Sequence, residues 1–362
     1  MKTRIGLIFG GQSCEHDVSR LSAANIARAL DPDLFEVLPI EISREGIWFS
    51  IALTDLLAPQ SSQQPASTLP QRFFSLDPYF RHTSVQDALV DVFFPIVHGT
   101  GGEDGALQGL LRCLNKPFIG SDVLSSAVCM DKDVTKRLLR DAGLPIGKFV
   151  CVPRPQAAAA NYESLASQLG TPFFVKPCNT GSSVGVQKVI DAAQFNEALR
   201  NAFLFDDKVL CEEAISGREI EFAVMGNMEP CVSIAGEIRM QRDTFYSYEA
   251  KYWSDDAAEL IVPAQLDEAL LKKGQVLALQ AFQTLNCRGL ARVDFFLKDD
   301  GQYLINELNT LPGFTSKSMY PVLWDASGTS YRALLTELVE LALDVHRSRQ
   351  SLVRIPPTPS RS

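Results

Sequence analysis

The chain has 362 residues, which is enough for two or three domains of ordinary size. Asp and Glu number 43 against 34 Lys and Arg, so the formal net charge is −9, which disfavours a nucleic-acid or anionic-membrane partner. The hydrophobic fraction of 46% is typical of a globular protein, and no apolar run approaches the roughly 18 residues of a membrane helix. The first residues lack a secretory leader, so we expect a cytoplasmic protein.

The eight cysteines exclude two kinds of site. No CxxC motif occurs, which argues against a zinc ribbon and against a thioredoxin-type redox centre. Their neighbours are mostly apolar, so we expect small, reduced core residues.

The N-terminal third alternates short apolar strands with a helix. Strands are predicted at residues 4–9, 35–42 and 90–97, and a helix follows the first of them. This alternation predicts an α/β domain with a doubly wound, mostly parallel sheet, which we assign to residues 1–127. Ligands of such domains bind beyond the carboxyl ends of the strands, where glycines such as Gly10 follow here.

Two further domains are predicted after the first. Asp131 is a candidate N-cap for a helix that carries Lys132 and Lys136 one turn apart. Strand signals dominate the segment that follows, and later segments predict a charged loop, a helix, a strand pair and a final helix. The predicted boundaries are 128–223 for the central domain, 224–350 for the C-terminal domain with a loop at 241–256, and 351–362 for a tail.

An Asp-Gly sequence separates the two strands of the pair and predicts a two-residue hairpin turn at Asp300-Gly301. That turn places Asp294 opposite Glu307. Arg292 then lies opposite Asn309 on the same face. The other face pairs apolar residues, with Val293 opposite Leu308 and Leu297 opposite Leu304.

Two carboxylates directly opposite each other destabilise a sheet unless a cation lies between them. Mg²⁺ prefers oxygen ligands and leaves positions open for phosphate. The pair therefore predicts a metal site at Asp294, Glu307 and Asn309. The alternative is a solvated acidic pair beside an arginine. A three-residue turn would instead pair Asp294 with Asn306 and place the two carboxylates on opposite faces.

A glycine- and serine-rich loop, residues 178–185, follows a strand that ends near Lys176. Backbone N–H groups and hydroxyls in such a loop suit an anion, and the lysine supplies a point charge. The P-loop motif GxxxxGK[ST] does not occur in the chain. A second segment, residues 209–219, places carboxylates beside an apolar strand, which suits the edge of a nucleoside. Each signal is weak alone, since a simple turn is the common alternative.

The order of these segments resembles the ATP-grasp superfamily, and the whole chain resembles the D-alanine–D-alanine ligase family within it. The resemblance covers about residues 4–346 and rests on residues 10–19, 98–105, 181–185, 248–252 and 306–315. It implies an α/β and α+β fold in which the N-terminal parallel-sheet domain precedes a two-part ATP-grasp fold.

For ATP, the resemblance implies phosphate-binding lysines, a nucleoside site and two Mg²⁺ ions that Mn²⁺ can replace. The implied ATP contacts are Lys132, Lys176, Ser183 and Lys251, with Glu212 and the backbone near Ile215 at the adenine and Glu219 at the ribose; the implied metal ligands are Asp294, Glu307 and Asn309.

For the amino acids, the resemblance implies that Glu15 binds the ammonium group of the first D-alanine. Ser182 and Tyr252 would join Glu15 in a hydrogen-bonded set that closes the 241–256 loop as a lid. Further implied contacts are Arg292 and the Gly313 N–H at the developing oxyanion, Ser318 and Met319 at the second carboxylate, and His98 and Lys251 near the substrate.

The implied reaction is the ATP-dependent joining of two D-alanines through a D-alanyl phosphate, for peptidoglycan precursor synthesis, by a homodimer. Two alternatives stay open. A D-alanine–D-lactate ligase is disfavoured by Tyr252, because such relatives carry a histidine or another aromatic residue in the lid. A non-catalytic ATP-binding protein is disfavoured by the presence of every implied metal ligand and phosphate lysine.

Overall fold

The computed structural model of the chain describes residues 1–58, 90–240 and 258–353, together with the backbone of residues 72–73. Three sheets and their flanking helices make up the described fold. The strands are β1 Thr3–Gly10, β2 Phe35–Ile42, β3 Trp48–Ser50, β4 Arg72–Phe73, β5 Val92–Pro95, β6 Phe149–Pro153, β7 Phe173–Pro177, β8 Gln187–Val189, β9 Lys208–Glu213, β10 Arg218–Gly226, β11 Cys231–Met240, β12 Ala258–Ile261, β13 Gly289–Leu297 and β14 Tyr303–Asn309. The helices are α1 His16–Ala29, α2 Leu53–Leu57, α3 Ala106–Cys113, α4 Val123–Met130, α5 Lys132–Asp141, α6 Tyr162–Leu169, α7 Ala192–Ala202, α8 Glu268–Thr284, α9 Met319–Ala326 and α10 Tyr331–Gln350, with a 3₁₀ helix at Arg154–Ala159.

The first sheet has the order β4-β3-β2-β1-β5, and β1 runs parallel to both of its neighbours, β2 and β5. Alternate residues of β1 pack on opposite faces: Leu7 lies in a core with α1 and α10, and Ile8 lies in a second core with α3. The predicted doubly wound α/β domain is therefore confirmed. Its edge differs from the prediction, because β3 and β4 pair in antiparallel fashion.

The other two sheets are antiparallel, with the orders β6-β9-β7-β8 and β12-β11-β10-β13-β14. The chain passes from one to the other between β9 and β10, at residues 214–217. The predicted domain boundary at 223/224 lies inside β10, which begins at Arg218. The sequence predicts strands both before and after residues 214–217, so its composition does not mark the point where the chain changes sheet.

The β13–β14 hairpin has the predicted pairing at the site, but its turn and part of its register differ from the prediction. The turn contains three residues rather than two, because Lys298 donates its N–H to the carbonyl of Gln302 at 2.9 Å. Leu297 consequently pairs with Tyr303 and not with Leu304. A β-bulge at Asn306 then skips one residue, so that Asp294 still lies opposite Glu307.

The cysteines are only partly core residues. All eight are free thiols; four are buried, one is half-buried, and Cys14, Cys113 and Cys231 are exposed. The expectation of core positions is therefore wrong for these three. Across the described helices, none combines the length and the apolar character that crossing a bilayer requires.

Candidate active site

A cavity of about 740 Å³ lies where the three sheets meet. Its lining residues run from Cys14 to Met319, so side chains that are far apart in the sequence meet there. The predicted site residues that line it are Glu15, His98, Lys132, Ser182, Glu219, Arg292, Asp294, Glu307, Asn309, Gly313, Ser318 and Met319.

Glu15 occupies the N-cap position of α1, directly after the glycine turn that ends β1. Its side chain is buried, and its Oε1 accepts a hydrogen bond of 2.5 Å from the Ser182 hydroxyl. The backbone N–H of Glu15 donates to the hydroxyl of Ser13, which donates in turn to the carbonyl of His98. The Glu15–Ser182 pair that the resemblance implies is therefore present, and it joins the first domain to the glycine-rich loop.

The glycine-rich loop adopts a constrained backbone. Ser182 and Ser183 have φ angles of 50° and 58°, in the left-handed region that residues with a β-carbon rarely adopt. A hydrogen bond of 3.1 Å from the Val184 N–H to the carbonyl of Gly181 closes the turn. Strained backbone of this kind concentrates at ligand-binding positions, and here it aims the Ser182 hydroxyl at Glu15.

His98 lies buried at the base of the cavity beside Glu103. Its Nδ1 is 3.1 Å from the carbonyl of Leu311 and 3.6 Å from Glu103 Oε1. Burial opposes a charge on the ring, yet the hydrogen bond to Glu103 and the charge of Glu15 outweigh it and raise the pKa of His98. His98 therefore lies among carboxylates on this side of the cavity, and these favour its protonated form.

Three lysines converge on one buried carboxylate. The Glu212 carboxylate forms ion pairs with both Lys136 and Lys176, and Lys132 lies in the same electrostatic neighbourhood. Burial would raise the pKa of Glu212, but the charges of Lys136 and Lys176 prevail and lower it to about 2. Glu212 is predicted to face an adenine, and its carboxylate pairs with Lys136 and Lys176 in the structure.

Lys132 is the first residue of α5, which the Asp131 carboxylate caps as predicted by accepting the N–H groups of Asp133 and Val134. Its ammonium group donates to the carbonyl of Thr180 at 2.6 Å and lies 3.9 Å from Glu307 Oε2. Burial lowers the pKa of Lys132 against the opposing charge of Glu307. Lys132 therefore stands between the glycine-rich loop and the predicted metal ligands.

The predicted metal ligands project from adjacent strands of one sheet. Asp294 on β13 lies between Glu221 on β10 and Glu307 on β14 in a single cross-strand row. Arg292 balances this row: its guanidinium makes two hydrogen bonds of 2.7 Å to Asp294 and approaches Glu221 Oε2 at 3.1 Å.

The donor set suits a hard cation rather than a soft one. It comprises two carboxylates and the Asn309 amide, whose oxygen also accepts the N–H of Leu311 at 3.0 Å. Throughout the described ranges, no group of three or more His, Cys, Asp or Glu residues is arranged to hold a metal by itself. Phosphate oxygens would have to complete the coordination, as they do where Mg²⁺ binds together with a nucleotide.

The helix α9 begins at the cavity wall. Its N-cap residue Ser318 accepts the N–H of Thr315 at 2.9 Å, and a side chain at Gly313 would meet Ser318 Oγ at 2.7 Å. The Met319 side chain is buried against β11, so only its backbone faces the helix terminus. The N-terminus of α9 therefore offers N–H groups and a positive dipole end to a carboxylate.

Several predicted residues lie away from the cavity wall or outside the described chain. Lys176, Ser183, Glu212 and Ile215 do not line the cavity. Ile215 follows β9 and packs toward Gly147. Lys251, Tyr252 and the 241–256 loop fall outside the described residues.

Three site residues were missed from the sequence. Lys136 pairs with Glu212, Glu103 contacts His98, and Glu221 contacts Arg292. Lys136 lies one helical turn after Lys132, and Glu221 lies two residues after Glu219 on a strand, so both spacings place them on faces already assigned to the site. For Glu103, the glycine-rich segment around it is the one sequence feature that pointed to a ligand-binding position.

Two family models match the chain. The D-ala D-ala ligase N-terminus matches residues 4–121, and the D-ala D-ala ligase C-terminus matches residues 138–340. The D-alanine–D-alanine ligase A of Chromobacterium violaceum is 51% identical over 98% of both chains. The solved structure of the D-alanine-D-alanine ligase from Coxiella burnetii is 39% identical, with a TM-score of 0.81 over 98% of both chains. The VanG D-Ala:D-Ser ligase of Enterococcus faecalis is 34% identical, with a TM-score of 0.83 over 94% of this chain and 100% of that one.

The fold, the arrangement of the cavity and these matches over nearly the full length agree with one another. The chain belongs to the D-alanine–D-alanine ligase family.

Proposed function

We propose that the protein uses ATP to join two D-alanine molecules into D-alanyl-D-alanine, with release of ADP and phosphate. The observation that supports the proposal is that the buried Glu15 carboxylate, Lys132 and the Asp294–Glu307 pair line one cavity. A site for an ammonium group and a site for metal-bound phosphates thus share one space.

The first step would transfer the γ-phosphoryl group of ATP to the carboxylate of the first D-alanine. Both reactants are anionic, so their repulsion must be offset before they can meet. Lys132 and Lys176 would neutralise the phosphates, and Asp294, Glu307 and Asn309 would hold two Mg²⁺ ions, which supply charge stabilisation to the transferring group. Glu15, hydrogen-bonded to Ser182, would bind the ammonium group and fix the carboxylate toward the ATP.

The second step would form the peptide bond. The amine of the second D-alanine attacks the acyl carbon of the D-alanyl phosphate, and phosphate leaves. Arg292 and the Gly313 N–H would stabilise the developing oxyanion, and the N-terminus of α9 at Ser318 and Met319 would hold the second carboxylate. We assign His98 to the substrate side and Glu219 to the ribose. Contacts of Lys251 and Tyr252 with substrate, a homodimeric assembly, a cytoplasmic location and a role in peptidoglycan precursor synthesis complete the proposal.

The direct test is phosphate release from Mg-ATP with D-alanine alone, with products identified by mass. D-alanyl-D-alanine together with stoichiometric phosphate is expected, and L-alanine should give neither. The VanG relative makes D-serine an informative second acceptor, and D-lactate tests the depsipeptide alternative. Turnover only with a mixed acceptor would keep the ATP chemistry and reject the D-alanine acceptor. No phosphate release with any amino or hydroxy acid would reject the ligase.

Replacing Glu15 by glutamine tests the ammonium site. We expect kcat/KM for D-alanine to fall by about 10²-fold, because a charge-assisted contact to the substrate is lost, while the KM for ATP stays within about twofold. Glu36→Gln is the matched control, since Glu36 on β2 belongs to the same domain, is exposed and does not line the cavity. Equal losses in the two variants would show that Glu15 does not contact the substrate.

A further inference from the structure

A second cavity, of about 360 Å³, shares no lining residue with the candidate active site. Three distant segments of the chain form it. They are the end of α3 with the loop that leads to α4, the turn before β13, and α10 with the residues that follow it. The cavity therefore lies between the first domain and the last helix.

The wall of this cavity is strongly cationic in a protein whose net charge is −9. Its charged lining residues are Arg112, Lys116, Arg288 and Arg349, with Asp122 as the one carboxylate among the lining residues that the structure describes. Since Asp122 offsets a single charge, an excess of three positive charges remains around a half-enclosed space.

Asp122 forms ion pairs with two of these arginines. Its Oδ2 accepts a hydrogen bond of 2.5 Å from Arg349 and a further one from Arg112. Arg288 is left without this compensation: within the described ranges, no carboxylate oxygen lies within 4.0 Å of its guanidinium. Burial lowers the pKa of Arg349, and the charges of Arg112 and Arg288 lower it further against the opposing charge of Asp122. These arginines therefore repel one another across the cavity.

We propose that this cavity is a binding site for a phosphate-type dianion. Guanidinium groups bind tetrahedral oxyanions through paired N–H donors, and they are more weakly hydrated than ammonium groups. A dianion would offset most of the excess charge and would give Arg288 an anionic partner in addition to the Met228 Sδ, to which its Nη1 donates at 2.8 Å. The ligand is either free phosphate or the phosphate group of a small metabolite, because both present the same oxyanion.

Binding there would connect the first domain to α10. Arg112 belongs to α3 and Arg349 to α10, so an anion that contacts both would hold the two elements together. A ligand that binds only the folded protein raises its unfolding temperature in a concentration-dependent way. Phosphate is therefore expected to stabilise the protein by a route separate from substrate binding.

The test titrates inorganic phosphate into the full-length protein by calorimetry and thermal unfolding, at constant ionic strength with chloride as the balancing anion. Arg288→Gln removes an uncompensated charge and breaks no described ion pair. We expect it to weaken phosphate binding at least about tenfold. Arg347→Gln is the matched control, because Arg347 lies on the same helix, is 69% exposed and does not line the cavity. It should change binding less than about twofold.

Two further arms separate this site from the active site and distinguish the sources of the anion. Lys132→Gln alters the candidate active site and should leave intact the phosphate binding that depends on Arg288. Adenosine monophosphate carries the same oxyanion on a larger molecule. Weaker binding of either ligand to Arg288→Gln supports the site, and the ligand whose affinity falls identifies the source of the anion. Loss of binding in Lys132→Gln but not in Arg288→Gln would overturn the proposal. Equal affinities of Arg288→Gln and Arg347→Gln, or no binding of either ligand, would also overturn it.

Discussion

Asp294→Asn is expected to reduce kcat by at least about 10³-fold while the protein remains folded. Asp294 lies opposite Glu307 in the cavity, and in the proposed reaction both carboxylates hold divalent cations against the ATP phosphates. Losing metal-based charge stabilisation removes several kcal/mol from the transition state, and each 1.4 kcal/mol is a factor of ten in rate. Phosphate release at saturating Mg-ATP and D-alanine measures the effect.

The control for this variant is Asp299→Asn, in the exposed turn of the same hairpin. It makes the same chemical change on the same element without touching the cavity, so its kcat should stay within about twofold. The amide oxygen at position 294 can still accept one of the two hydrogen bonds from Arg292, and Glu221 keeps its ion pair with that guanidinium, so the circular dichroism spectrum should match that of the parent protein. Turnover by Asp294→Asn at the level of the control would refute the metal assignment.

Glu212→Gln is expected to produce the largest loss of stability. Glu212 and Lys136 are almost fully buried, with exposures of 3% and 1%, and Lys176 pairs with the same carboxylate. Removing the anion leaves buried cations without compensation, which destabilises proteins by about 3–5 kcal/mol. Urea unfolding measures the loss, and Glu197→Gln on the exposed face of α7 is the control.

A double variant separates charge from packing at this site. Adding Lys136→Met to Glu212→Gln removes one of the stranded cations, so the double variant should be more stable than Glu212→Gln alone. If the second change only adds further destabilisation, the loss in Glu212→Gln does not arise from uncompensated charge.

The same carboxylate gives an expected pH dependence. Because the pKa of Glu212 is lowered to about 2 in the folded protein, its ion pairs contribute full stability above the usual glutamate pKa. That contribution is lost as the pH falls from about 4.5 toward 2. The difference in unfolding free energy between the parent protein and Glu212→Gln should therefore be constant near neutral pH and shrink below about pH 4.5. A difference that persists unchanged at pH 3 would contradict the lowered pKa.

The β13–β14 hairpin shows which features can be predicted from local turn and strand patterns. The face assignment of Asp294 and Glu307 came from turn chemistry and strand alternation, and it is confirmed. The turn length was wrong, and so was the Leu297–Leu304 pairing, because a β-bulge at Asn306 has no reliable sequence signal and depends on neighbouring strands. The prediction reached the right pairing through an incorrect turn because the bulge offsets the extra turn residue.

Contacts between residues far apart in the chain could not be predicted from the sequence. Nothing in the segment around Glu212 indicates that Lys136 and Lys176 would occupy its carboxylate, since the three belong to α5, β7 and β9. The family resemblance assigned chemical roles to residues but not the ion pairs that hold them. By contrast, the Asp131 cap depends on neighbouring residues alone, and it was predicted correctly.

The core of the first sheet bears on how the chain folds during synthesis. Leu7 and Phe9 of β1 pack in one cluster with Leu334 and Leu338 of α10, more than 300 residues later. A ribosome delivers β1 long before it delivers α10, so the part of that apolar face that α10 covers stays exposed until α10 has been synthesised. Such a face is a target for chaperones and a starting point for aggregation. The first sheet therefore completes its packing only when α10 is available to cover it.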